Sequence, residues 1–327
     1  MELFEGLKQN ISGKKVTIVF PEPTDVRVLG AAVRLKSDDL VEPILIGNPS
    51  VINEIASSRG LIIDNLKIVD PAKFDQMDEM VASFIARRNG KATEDQAREI
   101  LKDENYFGTM LVYMDLADGL VSGAIHSTGD TIRPALQIVK TKPGVSRTSG
   151  AFLMVGDRES DKYIFSDCAI NINPDAQALA EIAVESAKTA EIFGIDPKVS
   201  LLSFSTKGSA KSEEVTKVAE ATKIAQELAP EYDIDGELQF DAAYAQTVAN
   251  QKAPDSKVAG HTTVFVFPEI QSGNIGYKIA QRLGGFQAIG PILQGLNKPI
   301  SDLSRGCNEE DVYKLSIITA SQALQDK

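Results

Sequence analysis

Cysteine is scarce in this chain: only Cys168 and Cys307 occur among 327 residues. Two cysteines cannot form a disulfide framework, and their scarcity fits a reducing compartment. No run of 18 apolar residues exists, so no segment reads as a transmembrane helix. The first residues, MELFEGLKQNISGKK, lack the basic head and apolar centre of a secretion signal, which makes a cytoplasmic location the expectation. Basic residues are outnumbered, with a net charge of −12, so no broad cationic face is available for nucleic acid or an anionic membrane. Several motifs are also missing: no GxxxxGK[ST], no GxGxxG, no GxSxG, no HExxH and no CxxC. The two histidines, His126 and His261, do not pair into a triad or metal site from sequence alone. His261 reads as a strand-edge residue, while His126 falls in a loop and is left open.

What is present is ordinary globular material, with 43% hydrophobic residues and a length that favours two domains over one. Short β-branched runs alternate with helical periods. Lys15–Phe20, Pro43–Gly47, Leu66–Val69, Val121–Ile125, Ala151–Val155, Tyr163–Ala169, Ser200–Phe204, Thr262–Phe267 and Gly290–Leu293 read as strands. Phe74, Met77, Met80, Val81, Phe84 and Ile85 recur at helical spacing, and Thr93 with Gln96 forms a capping-box signature for the next helix. Asn173 and Pro174 are expected to cap and open a long helix that closes near Gly194. The segment TKPGVSRTSG, 141–150, reads as a domain crossing. Strands alternating with helices predict a largely parallel α/β sheet in each half.

Ligands of such sheets gather where strand ends lead into helices. Four loops of this kind carry polar residues. HSTGDTIRP, 126–134, could aim hydroxyls and N–H groups at an anion, with Arg133 expected near a first helical turn where a cation needs an anionic partner. The alternative is a surface ion pair with Asp130. TKGSAKS, 206–212, could cradle a phosphate or simply cap a helix. SGNIGYK, 272–278, offers glycines for close approach, which is weak evidence. In NKPISDLSRGCNEEDVYKL, 297–315, Asn308 reads as an N-cap answered by Asp311, with Glu309 and Glu310 suited to the helix dipole. That account leaves Ser304 and Arg305 unexplained, and an arginine, a hydroxyl and a carboxylate so close together can serve one substrate. Arg87 and Arg88 end a helix, where complementing the dipole is reason enough for them.

HSTGDTIRPALQIVKT, LSFSTKGSAKSEEVTKVAEAT, DGELQFDAA and TVFVFPEIQSGNIGYKIAQRLGGFQAIGPILQGLNKPISDLSRGC resemble the phosphate acetyltransferase family in its short, single-unit form, and the similarity runs over nearly the whole chain. The resemblance implies transfer of an acetyl group between coenzyme A and inorganic phosphate, with coenzyme A as substrate and no separate cofactor or metal. It implies two α/β domains like those of isocitrate and isopropylmalate dehydrogenases, with the active site in the interdomain cleft, and a homodimer. Residues 1–143 with 300–327 would form one domain and 144–299 the other. By the same resemblance Asp311 is the base for the thiol, Ser304 stabilises the carbonyl oxygen, and Arg305 and Arg133 hold phosphate and coenzyme A. Arg87 is a further substrate arginine, although RRNGKAT departs from the family pattern and leaves Arg88 as its alternative. Ser127, Thr128 and Asn274 are taken as additional substrate contacts. Three alternatives stay open: acyl transfer on butyryl groups, a metal- and NAD(P)-dependent decarboxylating dehydrogenase of the same fold, and a sensor that binds without turnover.

Overall fold

The computed structural model describes residues 2–158 and 161–325. The chain divides into two compact units, Met1–Lys140 with Leu296–Lys327, and Thr141–Gly295.

The first unit opens with α1 (Glu2–Ile11), β1 (Thr17–Phe20), α2 (Val26–Ser37), β2 (Glu42–Ile46), α3 (Pro49–Ser58) and β3 (Lys67–Val69). A 3-10 turn, Pro71–Lys73, leads to α4 (Met77–Arg87), α5 (Glu94–Ile100), α6 (Glu104–Tyr113), β4 (Gly119–Ser122) and α7 (Thr128–Pro134), which runs into a π-helical turn, Ala135–Val139. The second unit contains β5 (Ser149–Val155), β6 (Lys162–Ser166), α8 (Ala176–Ile192), β7 (Lys198–Leu202), α9 (Glu213–Leu228), β8 (Asp233–Leu238), α10 (Phe240–Tyr244), α11 (Gln246–Lys252), β9 (Val264–Val266), α12 (Ile270–Arg282) and β10 (Gln287–Gln294). The chain then returns to the first unit as β11 (Ile300–Asp302) and α13 (Glu309–Gln325). No helix among the described residues is long and apolar enough to cross a membrane.

The sheet of the first unit is wholly parallel, in the order β11-β4-β1-β2-β3. Parallel strands are covered on both faces, so they read as unbroken apolar runs. Ile18, Val19 and Phe20 are fully buried, as are Val28, Leu29 and Leu35 of α2 and Val312, Ile317 and Ile318 of α13, to within a percent. From β1 the chain lays β2 and β3 to one side, whereas β4 and β11 lie on the other. Such a reversal opens a crevice at the carboxyl ends of the strands. Here it falls between β1 and β4.

The second sheet runs β10-β5-β6-β9-β7-β8. Its β6, β9, β7 and β8 are parallel neighbours, while β5 and β10 add an antiparallel edge. The expected strands all appear with shifted ends, and β8 lay outside the sequence reading. The Thr93–Gln96 capping box is present, with Gln96 N–H donating to Thr93 Oγ1 at 3.3 Å and Thr93 N–H to Gln96 Oε1 at 2.9 Å. The cap of α8 is a correction. Asp175, not Asn173, accepts from Ala178 N–H at 2.9 Å, so Pro174 precedes the helix instead of opening it. Asp175 is extended, which is the conformation a cap needs.

Candidate active site

The crevice of the first unit is filled by a residue that the sequence did not single out. Glu22 follows β1 and is only 2% exposed. Its Oε2 accepts from the N–H groups of Gly123 at 2.9 Å and Ala124 at 2.8 Å. Its Oε1 accepts from Ile125 N–H at 2.9 Å, His126 N–H at 2.8 Å and the His126 ring at Nδ1, 2.7 Å. Five donors saturate one carboxylate, which explains why residues 123–125 leave the sheet although their composition suits a strand. Gly123 is required at the turn. Its φ is +107°, and a Cβ there would sit 2.6 Å from Leu303 N and 2.7 Å from Leu303 O.

Arg27, at the start of α2, ties three loops together. Its Nε and Nη2 donate to the two oxygens of Asp25 at 2.9 and 2.7 Å, and Nη2 also reaches Ala124 O at 2.9 Å. Nη1 donates to Arg305 O at 3.0 Å and Cys307 O at 2.7 Å. All five N–H donors of the guanidinium are engaged. The pairing holds the Asp25 carboxyl below its usual range. One side chain thus spans the loops that follow β1, β4 and β11.

This leaves Ser304 and Arg305 on an exposed turn. Ser304 Oγ accepts from Gly306 N–H at 3.3 Å, and the Arg305 guanidinium has no partner among the described residues. The predicted cap of α13 is present: Asp311 N–H donates to Asn308 Oδ1 and Asn308 N–H to Asp311 Oδ2, both at 2.9 Å. The capping bond fixes the half-buried Asp311 carboxylate through one oxygen and leaves Oδ1 available. Cys307 is buried beneath the turn, and that burial pushes its thiol up, which suits packing better than nucleophilic work.

The remaining sequence candidates divide. Ser127 and Asp130 form a capping box, with Ser127 Oγ donating to Asp130 Oδ2 at 2.6 Å. The hydrogen-bonded hydroxyl lowers the pKa of the Asp130 carboxyl. Thr128 is exposed at the first position of α7. Arg133 lies in the last turn of α7, a correction to its placement near a first turn, and its side chain is 61% exposed. Its ion pair with Asp130 is stretched to 4.0 Å, leaving the guanidinium nearly free. Arg87 is engaged: its Nε donates to Ile138 O at 2.5 Å and Nη2 to Val139 O at 2.8 Å, with the guanidinium over the Tyr113 ring. These bonds satisfy carbonyls of the π-helical turn. Arg88 is half-buried and caps α4, its backbone N–H donating to Phe84 O at 2.9 Å, while its guanidinium has no hydrogen bond or ion pair among the described residues.

Asn274 belongs to the second unit, on α12. Its Nδ2 donates to Cys168 O at 3.1 Å and its Oδ1 accepts from Lys278 at 2.7 Å. Gly273 permits close packing, since a Cβ there would press on the Asp167 backbone and lie 3.2 Å from Cys168 Sγ. The 206–212 loop is closed on itself. Gly208 N–H donates to Glu237 at 2.7 Å, Ala210 N–H to Ser205 Oγ at 3.0 Å, and Lys207 pairs with Asp235. The N–H groups of residues 206–210 are spent on protein acceptors, which favours the capping alternative for this loop over the phosphate cradle. Ser212 caps α9.

A family model described as phosphate acetyl/butaryl transferase matches residues 2–320. The chain belongs to this family. It is 60% identical over 323 residues to the phosphate acetyltransferase of Bacillus subtilis (strain 168), covering 99% of both chains. A phosphotransacetylase crystal structure from Streptococcus pyogenes superposes with a TM-score of 0.97 at 59% identity, covering 99% of this chain and 98% of the other. A 4-hydroxythreonine-4-phosphate dehydrogenase-like structure from Salmonella typhimurium shares only the fold, with a TM-score of 0.52 at 13% identity over 94% of this chain and 99% of that one. The expected dehydrogenase-type α/β architecture is borne out.

Proposed function

We propose that this enzyme carries an acetyl group between coenzyme A and inorganic phosphate by direct attack of the coenzyme A sulfur on acetyl phosphate. The observation that carries the reading is the 60% identity to a phosphate acetyltransferase along 99% of both chains. The site chemistry supports it. Ser304 and Arg305 stand exposed on a turn whose backbone Arg27 fixes, and Asp311 opens the helix that follows. In this scheme Asp311 accepts the thiol proton through Oδ1. A free carboxylate and a free thiol differ by about 6 kcal/mol in proton affinity, so the transfer is productive only when concerted with attack. Ser304 donates to the carbonyl oxygen as it gains charge, and Arg305 and Arg133 bind the phosphoryl oxygens. A rigid turn favours this, because a prepositioned donor does not have to be reorganised in the transition state.

Location in the cytoplasm and pairing of two copies complete the proposal. Ile275 and Ile279 on α12 and Leu283 at its C-cap lie four residues apart and are 56%, 52% and 85% exposed, an apolar stripe that a second copy would cover. Light scattering on the purified chain is expected to give a dimer mass. The activity test is phosphate-dependent release of thiol from acetyl-, propionyl- and butyryl-CoA without added metal or nicotinamide. Fastest turnover with the acetyl substrate is expected. No thiol release from any of the three would overturn the reading.

A further inference from the structure

The scheme above accounts for the proton that leaves sulfur and neglects one at the other end. When the S–C bond forms and the C–O bond to phosphorus breaks, the electron pair of that C–O bond moves onto the phosphate oxygen. Acetyl phosphate as a dianion would then release a phosphate trianion, a poor leaving group. A proton must reach the bridging oxygen as the bond breaks, and Asp311 is committed to the thiol. Ser127 cannot supply it, because its hydroxyl proton is held by Asp130 at 2.6 Å. Arginines bind phosphate but do not give up protons at ordinary pH.

We infer that His126 is a catalytic residue that donates a proton from Nε2 to the departing phosphate, with Glu22 fixing its ring. This rests on the acetyl-transfer reading. Glu22 approaches Nδ1 at 2.7 Å, and its oxygens already accept four backbone N–H groups, so the carboxylate acts purely as an acceptor. Nδ1 therefore carries hydrogen, and the second ring nitrogen is the one that can lose or gain a proton. Donation from Nε2 uses the doubly protonated ring, whose Nδ1–H the Glu22 carboxylate already holds. The ring is 31% exposed, and Nε2 has no partner among the described residues. Its position fits the task. His126 is two residues from Ala124, whose carbonyl shares the Arg27 guanidinium with Arg305 O and Cys307 O. The imidazole therefore belongs to the loop pinned against the Ser304–Arg305 turn. The step balances: phosphate leaves as the monohydrogen dianion, imidazolium becomes neutral imidazole, and solvent exchange returns the proton carried off by Asp311.

Two substitutions separate this role from simple support of the loop. In His126→Asn the amide can still donate to Glu22, but nothing replaces Nε2. His126→Ala removes both and leaves room for added imidazole. With acetyl phosphate and coenzyme A, His126→Asn is expected to keep the melting temperature of the unaltered enzyme and to lose roughly 10²–10⁴ in kcat. The KM for acetyl phosphate should move far less. Imidazole in the buffer should raise the rate of His126→Ala and leave that of His126→Asn unchanged. A kcat for His126→Asn within about threefold of the unaltered enzyme overturns the assignment, and so does a folded His126→Ala that imidazole fails to accelerate. Either result, obtained beside a fully active parent, leaves acetyl transfer itself standing. An inactive parent would instead overturn the reading on which the inference rests.

Discussion

Asp302 ends β11 with both carboxylate oxygens buried and no hydrogen-bond partner among the described residues. It is 1% exposed, and burial, with the Glu22 carboxylate nearby, raises its pKa from the ordinary 3.8 to about 6. The nearby hydroxyls of Thr128 and Thr131 pull the other way without reversing that direction. A rise of about two units corresponds to about 3 kcal/mol. The sign follows from proton counting. Below the unfolded value both states hold the proton, and the site contributes nothing. Between 3.8 and about 6 the unfolded chain ionises first, so stability falls as pH rises through that window. Above it the full cost of the buried charge is present. Asp302→Asn carries no charge at any pH, so its stability relative to the unaltered enzyme should improve by about 2 kcal/mol between about pH 4.5 and pH 8. For a unit of this size that is about 4–8 °C in melting temperature. The assay is paired thermal melts of both proteins across the range. Parallel melting curves with a pH-independent gap would refute the reasoning, because they would mean that Asp302 binds its proton equally in the folded and unfolded chains.

Three further outcomes concern the site. Asp311→Asn should lower kcat by roughly 10²–10⁴ with little change in either KM, as loss of a general base requires, and unchanged turnover would remove Asp311 from that role. Arg133→Gln should mainly raise the KM for acetyl phosphate, since its guanidinium is free apart from the stretched pair with Asp130; an unchanged KM would leave Arg133 a surface residue. Arg87→Gln should destabilise the first unit by about 2 kcal/mol through two lost carbonyl bonds, whereas Arg88→Gln should melt normally and raise the KM for coenzyme A; the reverse pattern in steady-state and melting data would return the substrate role to Arg87.

Much of the scaffold was legible because its signals are local. Buried parallel strands announce themselves as β-branched runs, and the two partners within each of the Thr93–Gln96 and Asn308–Asp311 boxes are close neighbours in sequence. Strand ends were less legible. Gly123, Ala124 and Ile125 have strand-like composition but turn away because Glu22, about a hundred residues earlier, takes their N–H groups. The position of Arg133 was misplaced for a related reason. A helix that passes into a π turn has no sequence mark for where its dipole begins and ends. The Arg87–Arg88 ambiguity is likewise non-local: neighbouring guanidinium groups differ only in that one meets carbonyls 51 and 52 residues downstream.

The residues hardest to read from sequence share one physical function. In the second unit Asp167 accepts from the N–H groups of Gly150, Ala169, Ile170 and Asn171 at 2.8–3.1 Å and from the Asn171 side chain at 2.6 Å. Glu237 accepts from Gly208 N–H at 2.7 Å and Ser205 Oγ at 2.8 Å. With Glu22, that makes three carboxylates less than 5% exposed, each holding a loop that leaves a parallel strand. Loops at these strand ends have N–H groups with no ladder to join, and an unpaired buried N–H costs about 1–3 kcal/mol. One carboxylate that answers several of them makes a floppy connection rigid, at the expense of burying a charge. In sequence each is a lone acid in a polar stretch, indistinguishable from a solvated one. Glu22 differs from the other two in a single respect. One of its five donors is a titratable ring, so the carboxylate that shapes the loop also controls which ring nitrogen is left to exchange a proton.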